Sequence, residues 1–291
     1  MAMHMGHLAL RLRDVEGYAQ FAVDVLGLRE RERTENTILL SANEKHHELE
    51  LIQGVVDGVD HVGLEVESAD TLEALRGRVE AAGVTCEAVV EDAGLGDAFR
   101  FPGPGDITYE LYTGMSRAPV SVRHQVQPLV RRFGHLTFNS AARDEIETFW
   151  AEVLGFRVSD RLGQVVWMRC DADHHGLAVI PGSATTALHH HAWEIPSFSL
   201  LGGFCDRLIG LGRTLEWGPV RHGPGYNIAV YLQDPAGAVV EVYTDLLRIV
   251  DDAGYIPQDW SGEENALNLW GPKFGEGFGQ LGLPTLGFVA A

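Results

Sequence analysis

Cysteine is scarce in this chain. Cys86, Cys170 and Cys205 are its only three among 291 residues, and no two are close in sequence. An odd, widely spaced set supplies neither a disulfide framework nor a Cys-x-x-Cys zinc knuckle. Basic residues are also few: 22 Lys and Arg stand against 41 Asp and Glu, a formal net charge of −19. A surface that acidic repels phosphate backbones and anionic lipids, so no nucleic-acid and no membrane partner is expected. No uninterrupted apolar run approaches the 18 or so residues of a spanning helix, and Met1–Leu12 lacks the basic start and long apolar core of a secretory signal. The cytoplasm is the expected location. What is present is 45% hydrophobic and 22% charged residues, the balance of a globular protein, and enough length for about two domains. Histidine is plentiful, with 13 residues gathered in short clusters.

The chain repeats itself. Four strand-like segments place a His before an apolar alternation: around His7, His61, His135 and His190. The spacing is 54 and 55 residues within halves, and 128 and 129 between them. A regular period of this kind marks duplicated units. Tyr18–Leu28 and its counterpart Ile146–Phe156 follow the first strand of each half. In the second, Ile146, Phe149, Trp150, Val153 and Leu154 fall at helical spacing, and Gly155 is a natural stop. Strands follow at 38–40, 49–52, 165–168 and 177–180. The even-numbered units carry helices near 70–82 and 200–212, and end in strands at 107–113 and 239–244. The expected fold is α+β: four βαβββ modules paired into two tandem domains. The expected boundaries are 1–116, a linker at 117–130, a second domain at 131–250 and an extension at 251–291. That extension is rich in Gly and holds Trp260 and Trp270. It is expected to wrap over a domain or pack on a neighbouring subunit. Its Gly277, Gly279 and Gly282 spell GxGxxG, but no strand, helix or downstream acid accompanies them, so a dinucleotide site is not expected.

Three residues on predicted strands of the second half, His135, His190 and Glu241, can converge if the sheet curls around a cleft. Two imidazoles and one carboxylate leave open positions on a metal ion, the arrangement of non-haem Fe(II) oxygenases. Taken singly, each has a plainer reading: a His satisfied by hydrogen bonds, a Glu facing solvent. Glu241, however, interrupts the apolar run Val239-Val240-Glu241-Val242-Tyr243, where a carboxylate is costly unless paired or ligating.

The second half resembles the type I extradiol ring-cleaving dioxygenases of the vicinal oxygen chelate superfamily. The resemblance is carried by Gly134-His135-Leu136-Thr137-Phe138, Leu188-His189-His190-His191-Ala192-Trp193, Arg221-His222-Gly223, and Tyr231-Leu232-Gln233-Asp234-Pro235-Ala236-Gly237 running on to Glu241. It extends over about residues 6–247, and the Tyr-x-x-Asp-Pro-x-Gly run is its most specific part. It implies Fe(II), less often Mn(II), held by His135, His190 and Glu241. It implies catalytic roles for His175 near dioxygen and for His222 and Tyr231 at the substrate hydroxyls. It implies a catecholic substrate, O2 and a homo-oligomer. Matching the His-x-(Ala/Thr)-(Phe/Trp) pattern of the first strand puts His190 opposite His135, with His189 and His191 on the other face.

The first half holds His7, His61 and Glu110 at the corresponding positions, and His46-His47 opposite His174-His175. Glu91 and Arg100 stand where His222 and Tyr231 would be. The first half is therefore expected to be catalytically silent, its cleft closed by side chains. Two other functions remain open for the same scaffold. One is a metal-dependent isomerase or lyase, which would call for a second acid. The other is a non-catalytic aromatic-ligand binder, with Trp167, Trp193 and Phe198 lining a cleft. The apolar Trp193, Ile195 and Phe198 would admit hydrophobic ring substituents, while Arg221 or Arg248 could serve a carboxylated one.

Overall fold

A computed structural model of the chain describes residues 3–89, 94–118, 129–182 and 184–288. The expected strand–helix–three-strand order recurs four times. The first module runs β1 (Met3–Leu12), α1 (Val15–Phe21), β2 (Arg29–Arg33), β3 (Thr37–Ser41) and β4 (Leu49–Gln53). The second runs β5 (Gly58–Val66), α2 (Ala69–Ala81), β6 (Glu87–Ala88), β7 (Ala98–Pro102) and β8 (Thr108–Thr113). In the second half, β9 (Arg132–Ser140), α3 (Arg143–Phe149), β10 (Arg157–Leu162), β11 (Val165–Arg169) and β12 (Leu177–Pro181) precede the last module. That module is β13 (Ala187–Glu194), α4 (Phe198–Gly210), β14 (Trp217–Arg221), β15 (Ile228–Gln233) and β16 (Val239–Thr244).

Local chemistry explains the helix ends. Asp14 accepts from the Gly17 amide at the start of α1, and Ser68 and Ser197 cap α2 and α4 in the same way. Both α1 and α3 widen into a π-helical turn and stop where Gly27 and Gly155 adopt φ of 75° and 83°. That left-handed geometry favours glycine. On α4, Leu201, Phe204 and Leu208 are buried one and two turns apart, while Leu200 and Ile209 face outward.

The modules pair through their first strands. β1 runs antiparallel to β5 at the centre of an eight-stranded sheet, and β13 antiparallel to β9 at the centre of a ten-stranded one. One continuous apolar core joins the two halves. Polar contacts cross it: the Trp150 indole N–H donates to the Tyr109 hydroxyl at 2.6 Å, and the Tyr18 hydroxyl to Asp234 at 2.7 Å. Most of the expected linker, residues 119–128, lies outside the described residues.

The C-terminal extension wraps over its own half and ends against the first, where Thr285 pairs with Val59 and the Leu286 amide donates to the Val59 carbonyl. A short strand β17 (Gln258–Asp259) adds to β10, and β18 (Leu283–Pro284) to β13. Of the GxGxxG glycines, Gly277 caps a single 3-10 turn, Phe278–Gln280, Gly279 lies within it and Gly282 follows it. Among the described residues, no helix is long and apolar enough to cross a membrane.

Candidate metal centre

Strand register builds the centre. β13 sets Ala192 beside His135 of β9 on one side and beside Glu241 of β16 on the other, and Tyr231 of β15 pairs with Glu241. Residues side by side across a sheet share a face, so Tyr231, Glu241, Ala192 and His135 form one row. His190, two residues before Ala192, falls on the same face. Ala192 supplies only a methyl group, which leaves space between the larger side chains. Nε2 of His135 lies 3.2 Å from Glu241 Oε2, and Nε2 of His190 lies 3.3 Å from the same oxygen. The ligand atoms of all three are within 4.8 Å of one another. Glu241, 2% exposed, is steadied by Asn227, whose amide donates to Oε1 at 2.8 Å.

The donor set fits a divalent cation. Burial, then neighbouring histidines, pushes His190 and His175 well below the ordinary imidazole range. Burial pushes Glu241 upward, but His135 outweighs it and holds the carboxyl below its usual range. At neutral pH the centre therefore presents a neutral His190 and a carboxylate, with little access to water. Buried nitrogen lone pairs aimed at a carboxylate oxygen repel it unless a cation or proton lies between.

The remaining expected residues surround the same space. A cavity of about 320 Å³ is lined by the triad and by His175, His222 and Tyr231. The His222 ring places Nδ1 2.7 Å from the Leu267 carbonyl, so Nδ1 carries the hydrogen. Its Nε2 then accepts from the Tyr231 hydroxyl at 2.6 Å. Burial and the Glu241 charge push the Tyr231 phenol well up, so it stays protonated.

His175 is oriented from behind. His174 lies with Nε2 3.1 Å from Asp160 Oδ2, and its Nδ1 is 3.0 Å from Nδ1 of His175. A carboxylate only accepts, so His174 carries its hydrogen on Nε2 and accepts at Nδ1. His175 then carries its hydrogen on Nδ1, leaving Nε2 as the free lone pair. Asp160 is fixed in turn by the extension: Trp260 Nε1 donates at 2.8 Å, the Gln258 amide at 2.9 Å and the Tyr255 hydroxyl at 3.2 Å. Asp160, Asn227 and the Leu267 carbonyl were not singled out by sequence. Nothing in their spacing marks them: Asp160 and Leu267 gain their roles from how the extension folds back, and Asn227 from its approach to Glu241.

The first half repeats the row with a different filling. His7, Gly63 and Glu110 align across β1, β5 and β8, and Arg100 of β7 pairs with Glu110 just as Tyr231 pairs with Glu241. Gly63 stands at the place of Ala192, and the His7 ring occupies the space where a Cβ would be. His7 and His61 approach to 3.0 Å, and Glu110 lies 3.5 Å from His7. A second group, His7, His47 and Glu50, has equally close ligand atoms. Here, however, Arg100 Nε donates to Glu110 at 2.5 Å. His61 is pushed up, because Glu110 and Asp60 outweigh the opposing effect of burial. The Arg100 guanidinium of the chain itself thus partners the carboxylate that would face an ion. Glu91 lies outside the described residues.

Some expectations need correction. His191 does turn away, to Tyr18 and Trp193, but His189 does not leave the site. A register shift between Leu188 and His190 breaks the alternation. His189 therefore lines the cavity, with Nε2 3.0 Å from the Phe278 carbonyl. Trp193 and Ile195 are core residues, and Phe198 is half-exposed against Trp270. Of that group only Trp167 lines the cavity. Arg221 binds the Tyr226 carbonyl and Arg248 binds Asp173, so neither reaches the site.

Comparison with known proteins agrees with this architecture. The family model of the Glyoxalase/Bleomycin resistance protein/Dioxygenase superfamily matches residues 4–111 and 132–242. The chain is 27% identical to a manganese-dependent 2,3-dihydroxybiphenyl 1,2-dioxygenase of Geobacillus genomosp. 3, over 94% of this chain and 95% of that one. It is 24% identical to an iron-dependent extradiol dioxygenase of Rhodococcus jostii, over 94% and 97%. Among solved structures, the Mn(II)-bound glyoxalase from Novosphingobium aromaticivorans superposes with a TM-score of 0.83 at 26% identity, covering 93% of this chain and 91% of that one.

Proposed function

The chain belongs to the glyoxalase/bleomycin resistance protein/dioxygenase superfamily, and on that premise we propose that it is a metal-dependent extradiol dioxygenase. It opens the aromatic ring of a catechol beside its two hydroxyls, using O2, in the breakdown of aromatic compounds. The observation that carries this reading is one cavity holding His135, His190 and Glu241 together with His175, His222 and Tyr231. His135, His190 and Glu241 would hold the ion, Fe(II) by preference and Mn(II) as the second choice. When bound, that ion would act as a Lewis acid toward adjacent diol oxygens and mediate electron flow from the ring to O2.

The chain's own residues handle protons and orientation. Tyr231 donates to His222, so its hydroxyl oxygen remains free to accept from a substrate hydroxyl. A proton leaving the diol can pass through Tyr231 to His222 Nε2. His175, locked with its hydrogen on Nδ1, offers Nε2 as an acceptor at the cavity wall and can return a proton to the opening ring. The apolar walls exclude water. Ring opening breaks one carbon–carbon bond and places both oxygen atoms of O2 in the product, a yellow semialdehyde acid.

An isomerase or lyase of the same superfamily is the second reading, favoured by the glyoxalase likeness. That chemistry calls for a second acid, and among the described residues Glu241 is the one carboxylate lining the cavity. A purely sequestering role would leave His175, His222 and Tyr231 without a task. We place the domains at 1–116 and 131–250, catalysis in the second, the protein in the cytoplasm, and its subunits in a homo-oligomer. The free thiols of all three cysteines suit a reducing compartment. The test is anaerobic loading with Fe(II) or Mn(II), then catechol and air. One O2 consumed per catechol, with a yellow product, is expected. Bound catechol with no O2 uptake under either metal would overturn the reading.

A further inference from the structure

The cavity lining is of two kinds, and its make-up points to a substrate class. The polar lining is the triad with Thr137, His175, His189, His222, Tyr231 and Asn227. Most of the apolar lining comes from two sources. β11 and β12 contribute Val165, Trp167, Ile180 and Pro181, and the C-terminal extension contributes Leu267, Phe274 and Phe278. The extension's aromatics are held in place: Phe278 packs on Tyr231 and His189, with ring centroids 5.4 and 5.1 Å apart, and Phe274 packs on Trp217 at 5.2 Å.

No Lys or Arg lines the cavity among the described residues. The histidine that packs on Phe278, His189, is spoken for: Nδ1 lies 2.7 Å from His190 and Nε2 meets the Phe278 carbonyl. A diol held at the triad therefore meets, at its ring substituent, lining that is largely apolar and has no Lys or Arg counter-charge. An anionic substituent would lose its water there and gain no partner, which is strongly unfavourable. An alkyl or aryl substituent would instead exchange water for apolar contact.

We propose that the substrate is an uncharged catechol bearing an apolar alkyl or aryl substituent, and that the C-terminal extension, through Phe274 and Phe278, selects it over carboxylated catechols. This inference rests on the ring-cleavage reading only for the identity of the reaction, since ligand selection is a property of the cavity alone.

The test uses the full-length, metal-loaded protein. Catechol, 3-methylcatechol, 2,3-dihydroxybiphenyl, 3,4-dihydroxybenzoate and 3,4-dihydroxyphenylacetate are titrated anaerobically by calorimetry, then assayed for cleavage in air. The two apolar-substituted diols are expected to bind and react at least a hundredfold better, in Kd and in kcat/KM, than either carboxylated one. A single cation at the apolar wall should invert part of this preference. Ile180→Lys is expected to tighten binding of 3,4-dihydroxyphenylacetate at least tenfold while weakening that of 2,3-dihydroxybiphenyl. Carboxylated diols that bind as well as apolar ones would overturn the inference and leave ring cleavage standing. Selective binding of the apolar diols without O2 uptake would uphold the inference and overturn ring cleavage. Failure of every diol to bind would overturn both.

Discussion

Asp160→Asn tests whether the extension and the site are one structure. Asp160 is 2% exposed and faces four N–H or O–H groups, two at each oxygen: Gln258 N and Tyr255 donate to Oδ1, Trp260 donates to Oδ2, and His174 Nε2 lies 3.1 Å from Oδ2. In the variant, whichever side receives the amide nitrogen sets it against two donors. Hydrogen bonds to a charged group contribute about 1.5–3 kcal/mol each, so two of them amount to roughly 3–6 kcal/mol. At about 2–4 °C per kcal/mol for a domain of this size, Tm should fall by at least about 6 °C. Part of the loss can be relieved by releasing the extension, so limited proteolysis should show new cuts within 251–288. The pH dependence has a definite sign. Burial pushes the Asp160 carboxyl up, but the bonds from His174 and Gln258 outweigh it and hold it below 3.8. Its stabilisation is therefore full at neutral pH and is lost as pH falls through the depressed value. The Tm gap between wild type and variant should narrow in acid. A second readout is catalytic: with His174 no longer fixed, His175 loses its tautomer preference and kcat should drop at least tenfold. Unchanged Tm within about 1 °C, with no new cleavage of the extension, would refute the reasoning.

Other perturbations have equally definite outcomes. Tyr231→Phe removes the hydroxyl between substrate and His222 and should lower kcat by about 10²–10⁴-fold, with metal content, measured by mass spectrometry, unchanged. Arg100→Ala leaves Glu110 buried without its guanidinium and should cost about 3–5 kcal/mol in a denaturant titration. Added Mn(II) should restore part of that loss in the variant, because His7, His61 and Glu110 can then take an ion. Gly155→Ala forces a Cβ onto a residue at φ 83° and should cost about 1–2 kcal/mol, read as a lower urea midpoint with unchanged metal affinity.

The fold was legible wherever periodicity governs. The repeated His-led strands, the helical spacing of Ile146, Phe149 and Trp150 and the stop at Gly155 are local patterns, and each marks an element found in place. The row of His135, Glu241 and Tyr231 was also legible, because strand positions two apart share a face and the halves could be aligned against each other. What escaped was non-local. The register shift that brings His189 into the cavity depends on pairing between β13 and β9, which no single strand encodes. Of the aromatics expected to line the cleft only Trp167 does so; the rest of the apolar lining comes from Ile180 and its neighbours and from an extension whose sequence has no period. Asp160 reads as one more acid in a chain with 41 Asp and Glu. Only the return of Trp260 and Gln258 makes it a fixed acceptor behind His174.

The central claim is that His135, His190 and Glu241 grip one divalent ion while Arg100 keeps the first half empty. Metal bound per chain, measured on the anaerobically loaded protein and on Glu241→Ala after gel filtration, tests it most directly. About one ion per wild-type chain is predicted, falling below about a tenth in the variant. Two ions per wild-type chain, or a full equivalent retained by Glu241→Ala, would contradict it.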